Sequence, residues 1–151
     1  MKIALGSDHA GYTEKEAIKQ QLLAKGIEVE DFGTTSADVS VDYPDFAARV
    51  GHAVVNGDAE RGILVCGSGI GVSIAANKIP GIRAALAWNA ETAALARSHN
   101  DANVLCLSGK FTMADQAKKM LDIFLSTKFE GGRHERRVHK MEIKMTSPEL
   151  K

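Results

Sequence analysis

Short, continuous apolar runs alternate along this chain with segments whose apolar residues recur every three or four positions. The first run, residues 2–5 (KIAL), is bounded by Gly6 and suits a buried strand. Thr13 and Glu16 make a capping box that opens a helix with Ala17, Ile18 and Leu22 on one face, and Gly26 stops it. Ile27, Val29 and Phe32 mark a second strand. After the polar stretch Gly33 to Asp42, Pro44 takes a first-turn position and Phe46, Val50 and Val54 recur every four residues, predicting a second helix ended by Gly57. A third strand, Ile63 to Cys66, is wholly apolar and runs into Gly67-Ser68-Gly69-Ile70-Gly71 and a short helical stretch to Lys78. Ala84 to Trp88 read as strand four, Asn89 caps a helix reaching about Ser98, and Val104 to Leu107 read as strand five. Met113, Ala117, Met120, Leu121 and Phe124 then face inward from a fifth helix. Gly131-Gly132 break the chain, and Arg133 to Met145 form a last helix with Val138, Met141 and Met145 packing inward.

Strands alternating with helices at this spacing predict an α/β fold: a doubly wound, five-stranded parallel sheet with helices on both faces, Rossmann-like, plus a C-terminal helix. The 151 residues suit one domain, with 131–151 as a helical extension. In such folds ligands gather beyond the carboxyl ends of the strands. The residues to inspect are therefore Ser7-Asp8-His9, Cys66 to Gly71, Asn89 and Ser108 to Lys110. His9 and His99, each just after a predicted element, are expected at the same end of the sheet.

Composition narrows the classes. No apolar run approaches the roughly 18 residues of a membrane span, and the three-residue apolar stretch near the N-terminus is too short for a signal peptide, so a cytoplasmic protein is expected. Lys plus Arg equal Asp plus Glu at 19 each, which gives no footprint for nucleic acid. Basic charge is local: residues 128–151 hold seven Lys or Arg against four Glu. The two cysteines, Cys66 and Cys106, form no CxxC pair, and no HxxxH or carboxylate cluster suggests a metal.

The glycine-rich turn after strand three can converge backbone N–H groups on an anion, or be a tight connection with no ligand. It is neither a dinucleotide fingerprint, since the spacing is GxGxG, nor a P-loop, since Val72-Ser73 follow Gly71. Cys66 ends a strand beside a helix N-terminus, whose partial positive charge favours a thiolate that could act as a base. Cys106, inside strand five, reads as an inert apolar filler. Arg133 and Arg137 share one helix face and offer two forked donors suited to a phosphate dianion.

The segments SDHAG, DYP, ILVCGSGIGVSIAANK, GIRAAL, ARSHNDANVL and GGRHERR occur in this order over almost the whole chain. In this the sequence resembles the type B ribose-5-phosphate isomerases, a family related to the galactose-6-phosphate isomerase subunits, which generally lack the GGRHxxR segment. The resemblance implies a cofactor-free aldose–ketose isomerase of the pentose phosphate pathway, interconverting ribose 5-phosphate and ribulose 5-phosphate through a cis-enediolate. On matching positions it implies Cys66 as the proton shuttle, Gly67, Ser68, Gly69, Ile70 and Gly71 as the anion hole, and His99, helped by Ser68, as the ring-opening acid and base. Asp8, Tyr43 and Asn100 would hold hydroxyls, and His9, Arg133 and Arg137 the phosphate. It further implies a homodimer with the active site at the subunit interface, the C-terminal extension touching the partner, with a tetramer as the larger alternative. Lys110 departs from the arginine frequent in relatives, keeping the charge but losing the bidentate fork, and Ser68 stands for the commoner threonine. The competing expectations are a six-carbon substrate, allose 6-phosphate or galactose 6-phosphate, and a non-catalytic receiver-like or nucleotide-binding module. A receiver would want an aspartate where this chain has Cys66.

Overall fold

In the computed structural model, which describes residues 1–144, five strands form one wholly parallel sheet. They are β1 (Lys2–Ser7), β2 (Glu28–Asp31), β3 (Arg61–Cys66), β4 (Ala84–Leu86) and β5 (Val104–Ser108), in the order β2-β1-β3-β5-β4. The helices are α1 (Tyr12–Ala24), α2 (Tyr43–Val55), α3 (Ile70–Ala76), α4 (Ala90–Ser98), α5 (Ala114–Ser126) and α6 (Arg133–Lys144).

Side chains alternate across a strand, so each buried strand supplies two cores. Ile3, Leu5, Ile63, Val65, Leu105 and Leu107 pack on one face with α1, α4 and α5 through Ile18, Leu22, Ala93, Met120 and Phe124. Ala4, Leu64, Cys66, Val104 and Cys106 pack on the other with α2 and α3 through Ala47, Val50, Val72 and Ala76. The chain thus leaves β3 toward one face, and leaves its neighbours β1 and β5 toward the other. That divergence opens a crevice at the carboxyl end of β3, the place such sheets use for ligands.

Several local expectations are corrected. The Thr13–Glu16 capping box does not start α1: the helix begins at Tyr12, and Gly11 caps it without a side-chain bond. Asp8 acts one turn earlier, its carboxylate accepting from Gly11 N–H at 3.0 Å to close a 3-10 turn (His9–Gly11) that leads straight into α1. Ala17 is exposed, and Lys15 instead lies on the buried face with Ile18 and Leu22. Met113 precedes α5 in extended conformation and is exposed. Trp88 lies beyond the end of β4 and is exposed too. On α6, Val138 is only half-buried and Met141 is exposed, because the helix stands off the body of its own chain and buries His134 instead; Met145 lies outside the described residues. The Asn89 cap forms as expected, reciprocated by Thr92.

Candidate active site

Three loops meet at the carboxyl end of the sheet, stitched together by the backbone. Asp8 N–H donates to Val65 O (3.3 Å), Gly109 N–H to Cys66 O (2.9 Å) and Lys110 N–H to Gly67 O (3.1 Å). Ser108 Oγ donates to Gly67 O at 2.7 Å and accepts from Phe111 N–H at 2.8 Å. The glycine turn is therefore held from β1 on one side and β5 on the other.

Within this frame the sulfur of Cys66 accepts a hydrogen bond from Gly69 N–H at 3.2 Å. Gly69 has φ of 77°, and a Cβ there would lie 2.6 Å from Leu86 Cδ1 and 3.0 Å from the Leu107 carbonyl, so only glycine brings the amide to the thiol. The next amide, Ile70 N–H, donates to Ser68 Oγ at 3.2 Å. Cys66 is buried at 4 % exposure, while Ser68, Gly67 and Gly71 are partly open. The Tyr43 ring packs against Gly71. Asp8 is buried, and its second carboxylate oxygen can accept from a hydroxyl. His9 Nδ1 accepts from Val41 N–H at 3.2 Å, which leaves Nε2 as a donor. Lys110 is exposed at the rim. Cys106, one strand over, is fully buried, and burial, with the nearby Cys66, pushes its thiol far above the ordinary range, which disfavours a thiolate there.

The remaining expected residues lie at the other end of the sheet. α4 runs antiparallel to the strands, so His99, its C-terminal cap, reaches the level where β5 begins. There Asn103 O accepts from Gly62 N–H at 2.9 Å, and Gly62 stands four residues before Cys66, about 13 Å along the strand. The expectation that His9 and His99 share an end is thereby overturned. Arg133 and Arg137 accompany His99: Glu130 N–H donates to Ser98 O at 3.0 Å, and the His134 ring stacks on His99. Arg83 joins these parts by donating to Asn100 O, Asp101 O and Asp101 Oδ2 and pairing with Glu142 of α6. Asp101, at φ 46°, is also held by Arg97 at 2.8 Å. One folded chain thus carries a thiol half-site (Asp8, His9, Tyr43, Cys66 to Gly71, Lys110) and an imidazole–arginine half-site (His99, Asn100, Arg133, Arg137) at opposite ends.

Among the described residues one group of potential metal ligands occurs, His99, Glu130 and His134. The two rings are within 12° of parallel with centroids 4.1 Å apart. Their nitrogen lone pairs therefore run side by side, whereas one zinc ion about 2 Å from both would need them to converge. This is a stacked pair and not a chelate.

Sequence reasoning passed over Lys15, Arg83 and Arg97. Lys15 carried a visible signal, a cation at the helical spacing of Ile18 and Leu22. Arg83 lies inside the GIRAAL segment but just before β4, away from the carboxyl ends of the strands where ligands gather.

A doubly wound sheet with a thiol held by a backbone amide at its switch point belongs to the α/β class that binds small ligands there. The sequence profile of the Ribose/Galactose Isomerase family matches residues 3–141, and the chain belongs to that family. It is 49 % identical over 140 residues to a probable ribose-5-phosphate isomerase B of Mycoplasma genitalium, covering 92 % of each chain. It is 45 % identical over 137 residues to ribose-5-phosphate isomerase B of Escherichia coli, covering 91 % of each. Among solved structures, the Mycoplasma genitalium enzyme with bound ribulose-5-phosphate superposes with a TM-score of 0.92 at 46 % identity, over 97 % of both chains. The Clostridium thermocellum enzyme gives 0.94 at 49 % identity, over 96 % of this chain and 97 % of that one.

Proposed function

We propose that this protein is an aldose–ketose isomerase that interconverts ribose 5-phosphate and ribulose 5-phosphate in the cytoplasm as a homodimer. The chemistry rests on one observation, the Cys66 sulfur held by a backbone amide at the mouth of the glycine turn. Aldose–ketose interconversion needs a base beside a carbon acid, donors where enolate charge develops, and an anchor on the remote phosphate. Cys66 takes the proton from C2 of the opened sugar and returns it to C1, while the hydroxyl hydrogen passes from O2 to O1. Amides of residues 67–71 stabilise the enediolate oxygens. His99 with Ser68 opens the furanose, Asp8, Tyr43 and Asn100 hold hydroxyls, and His9, Lys110, Arg133 and Arg137 bind the phosphate.

Pairing with a second copy supplies what one chain separates. In a two-fold dimer the thiol half-site of each protomer meets the imidazole–arginine half-site of the other, so two complete sites form. Ile70 and Ile74, one turn apart on α3, and Trp88 are all more than half exposed, and α6 leaves Met141 uncovered, as expected of surfaces that a partner closes. Among the described residues no helix is long and apolar enough to cross a membrane.

Two assays test this reading. Purified protein in a chelator should form ribulose 5-phosphate from ribose 5-phosphate faster than it converts allose 6-phosphate; no ketose product would remove the isomerase. Mixing subunits of Cys66→Ala with His99→Ala should restore about a quarter of wild-type activity, because half the dimers are mixed and each mixed dimer holds one intact site. No recovery would place both residues in one subunit's site.

A further inference from the structure

The His99 imidazole is not free to turn. Its face lies against the His134 ring, centroids 4.1 Å apart, and the Glu130 carboxylate sits 3.5 Å from His134 Nε2 and 4.0 Å from His99 Nε2. His134 is 5 % exposed, whereas the His99 side chain remains 38 % exposed and open to a ligand. The support is itself fixed: His134 N–H donates to Gly131 O and Glu130 N–H donates to Ser98 O, the residue before His99. Nothing in the proposed chemistry uses His134 or Glu130, yet a buried imidazole and a carboxylate converge on the group assigned to ring opening.

We propose that His134, supported by Glu130, is a positioning residue that fixes the plane of His99 for opening the furanose ring, a role that rests on the reading of His99 given above. A general acid must meet both the ring oxygen and the anomeric hydroxyl at hydrogen-bonding distance, and a ring free to rotate spends little time in that orientation. Stacking removes the rotation at no cost in hydrogen bonds, because both imidazole edges stay available. The charged groups acting on the pair are Arg133 and Arg137 from α6 and Glu130 from the preceding loop. Burial, the His99 ring and Arg133 hold the His134 imidazole below the ordinary histidine range, against the pull of Glu130. The charged form of His134 is thereby disfavoured beside the His99 ring.

The experiment separates ring opening from proton transfer at carbon. Ribulose 5-phosphate has its C5 oxygen esterified and cannot close a five-membered ring, so deuterium uptake at its C1 from heavy water requires Cys66 but no ring opening. Ribose 5-phosphate is a furanose and requires both. His134→Ala should lower turnover of ribose 5-phosphate about tenfold while deuterium uptake into ribulose 5-phosphate stays within about twofold of wild type. His134→Phe, which restores a flat ring in the same slot, should recover ribose 5-phosphate turnover to within about threefold, and serves also if the alanine variant folds poorly. Equal losses in both assays, no loss in either, or a phenylalanine variant as slow as alanine would overturn the positioning role. A His99→Ala variant that keeps full turnover of ribose 5-phosphate would instead overturn the ring-opening assignment itself.

Discussion

The phenol of Tyr43 rests on the Cα of Gly71, so closely that a methyl group there would lie 2.6 Å from Cζ and 2.8 Å from Cε2. The first residue of α2 is thereby set against the first turn of α3, at the rim of the thiol half-site. Gly71→Ala should push the ring out of place and lower kcat/KM for ribose 5-phosphate about tenfold, more than Tyr43→Phe, which loses only the hydroxyl. Steady-state kinetics on the two variants side by side give the comparison; an unaffected alanine variant would show that the ring position is immaterial.

Lys15 is 1 % exposed and its ammonium bonds to both oxygens of Asp31 (2.9 and 2.8 Å) and to Glu16 (2.8 Å). Asp31 also accepts from Lys19 and from Gly33 N–H, which fixes the start of the loop leading to Val41 and His9. Burial raises the Asp31 carboxyl, but the hydrogen bonds from Lys15 and Lys19 outweigh it and the net shift is downward from 3.8. A depressed carboxylate contributes stability above the unfolded value and loses it as the pH falls through the folded one. Urea unfolding should therefore show stability declining below about pH 4 in the wild type, and this component should be absent from Asp31→Asn. At pH 7 that variant should be less stable by about 3–5 kcal/mol, because it leaves the Lys15 charge buried without its main partner.

Arg83 ties the His99–Asn100 segment to α6, donating to the carbonyls of Asn100 and Asp101 and pairing with Glu142. Arg83→Met should loosen both halves of the imidazole–arginine site, with ribose 5-phosphate turnover down by more than about tenfold and KM raised. Arg83→Lys should rescue little, since one ammonium cannot reproduce the forked contacts. Kinetics of the two variants decide it: full rescue by lysine would reduce Arg83 to a point charge.

Two cysteines offer an internal control. Cys66→Ala should abolish turnover while leaving substrate binding nearly intact, read by calorimetry. Cys106→Ala should keep activity and cost about 1–2 kcal/mol of stability, as expected for a small cavity in a packed strand. Activity surviving in the first variant would remove sulfur from the mechanism.

Much of this layout was legible in the chain. Apolar runs at 2–5, 63–66 and 104–107 are strands because a strand buried on both faces has no polar alternate positions, and the residues after β1, β3 and β5 do gather in one crevice. What periodicity could not convey is direction. A helix that follows a parallel strand returns antiparallel to it, so His99, at the end of α4, falls at the opposite sheet end from Cys66, at the end of β3. The Thr13–Glu16 pair had the right spacing for a cap, yet Asp8 took the role because the chain was already turning at His9. The spacing of Lys15 with Ile18 and Leu22 points it inward, but its pairing with Asp31 is invisible to periodicity because the two are sixteen residues apart in sequence.

With Cys66 at one pole of the molecule and His99 at the other, bending within a lone chain cannot unite them across a rigid sheet. Under the proposed sharing of each site between two copies, catalytic competence becomes a property of concentration. A sample diluted until its subunits separate should lose specific activity while its circular dichroism still reports an intact fold.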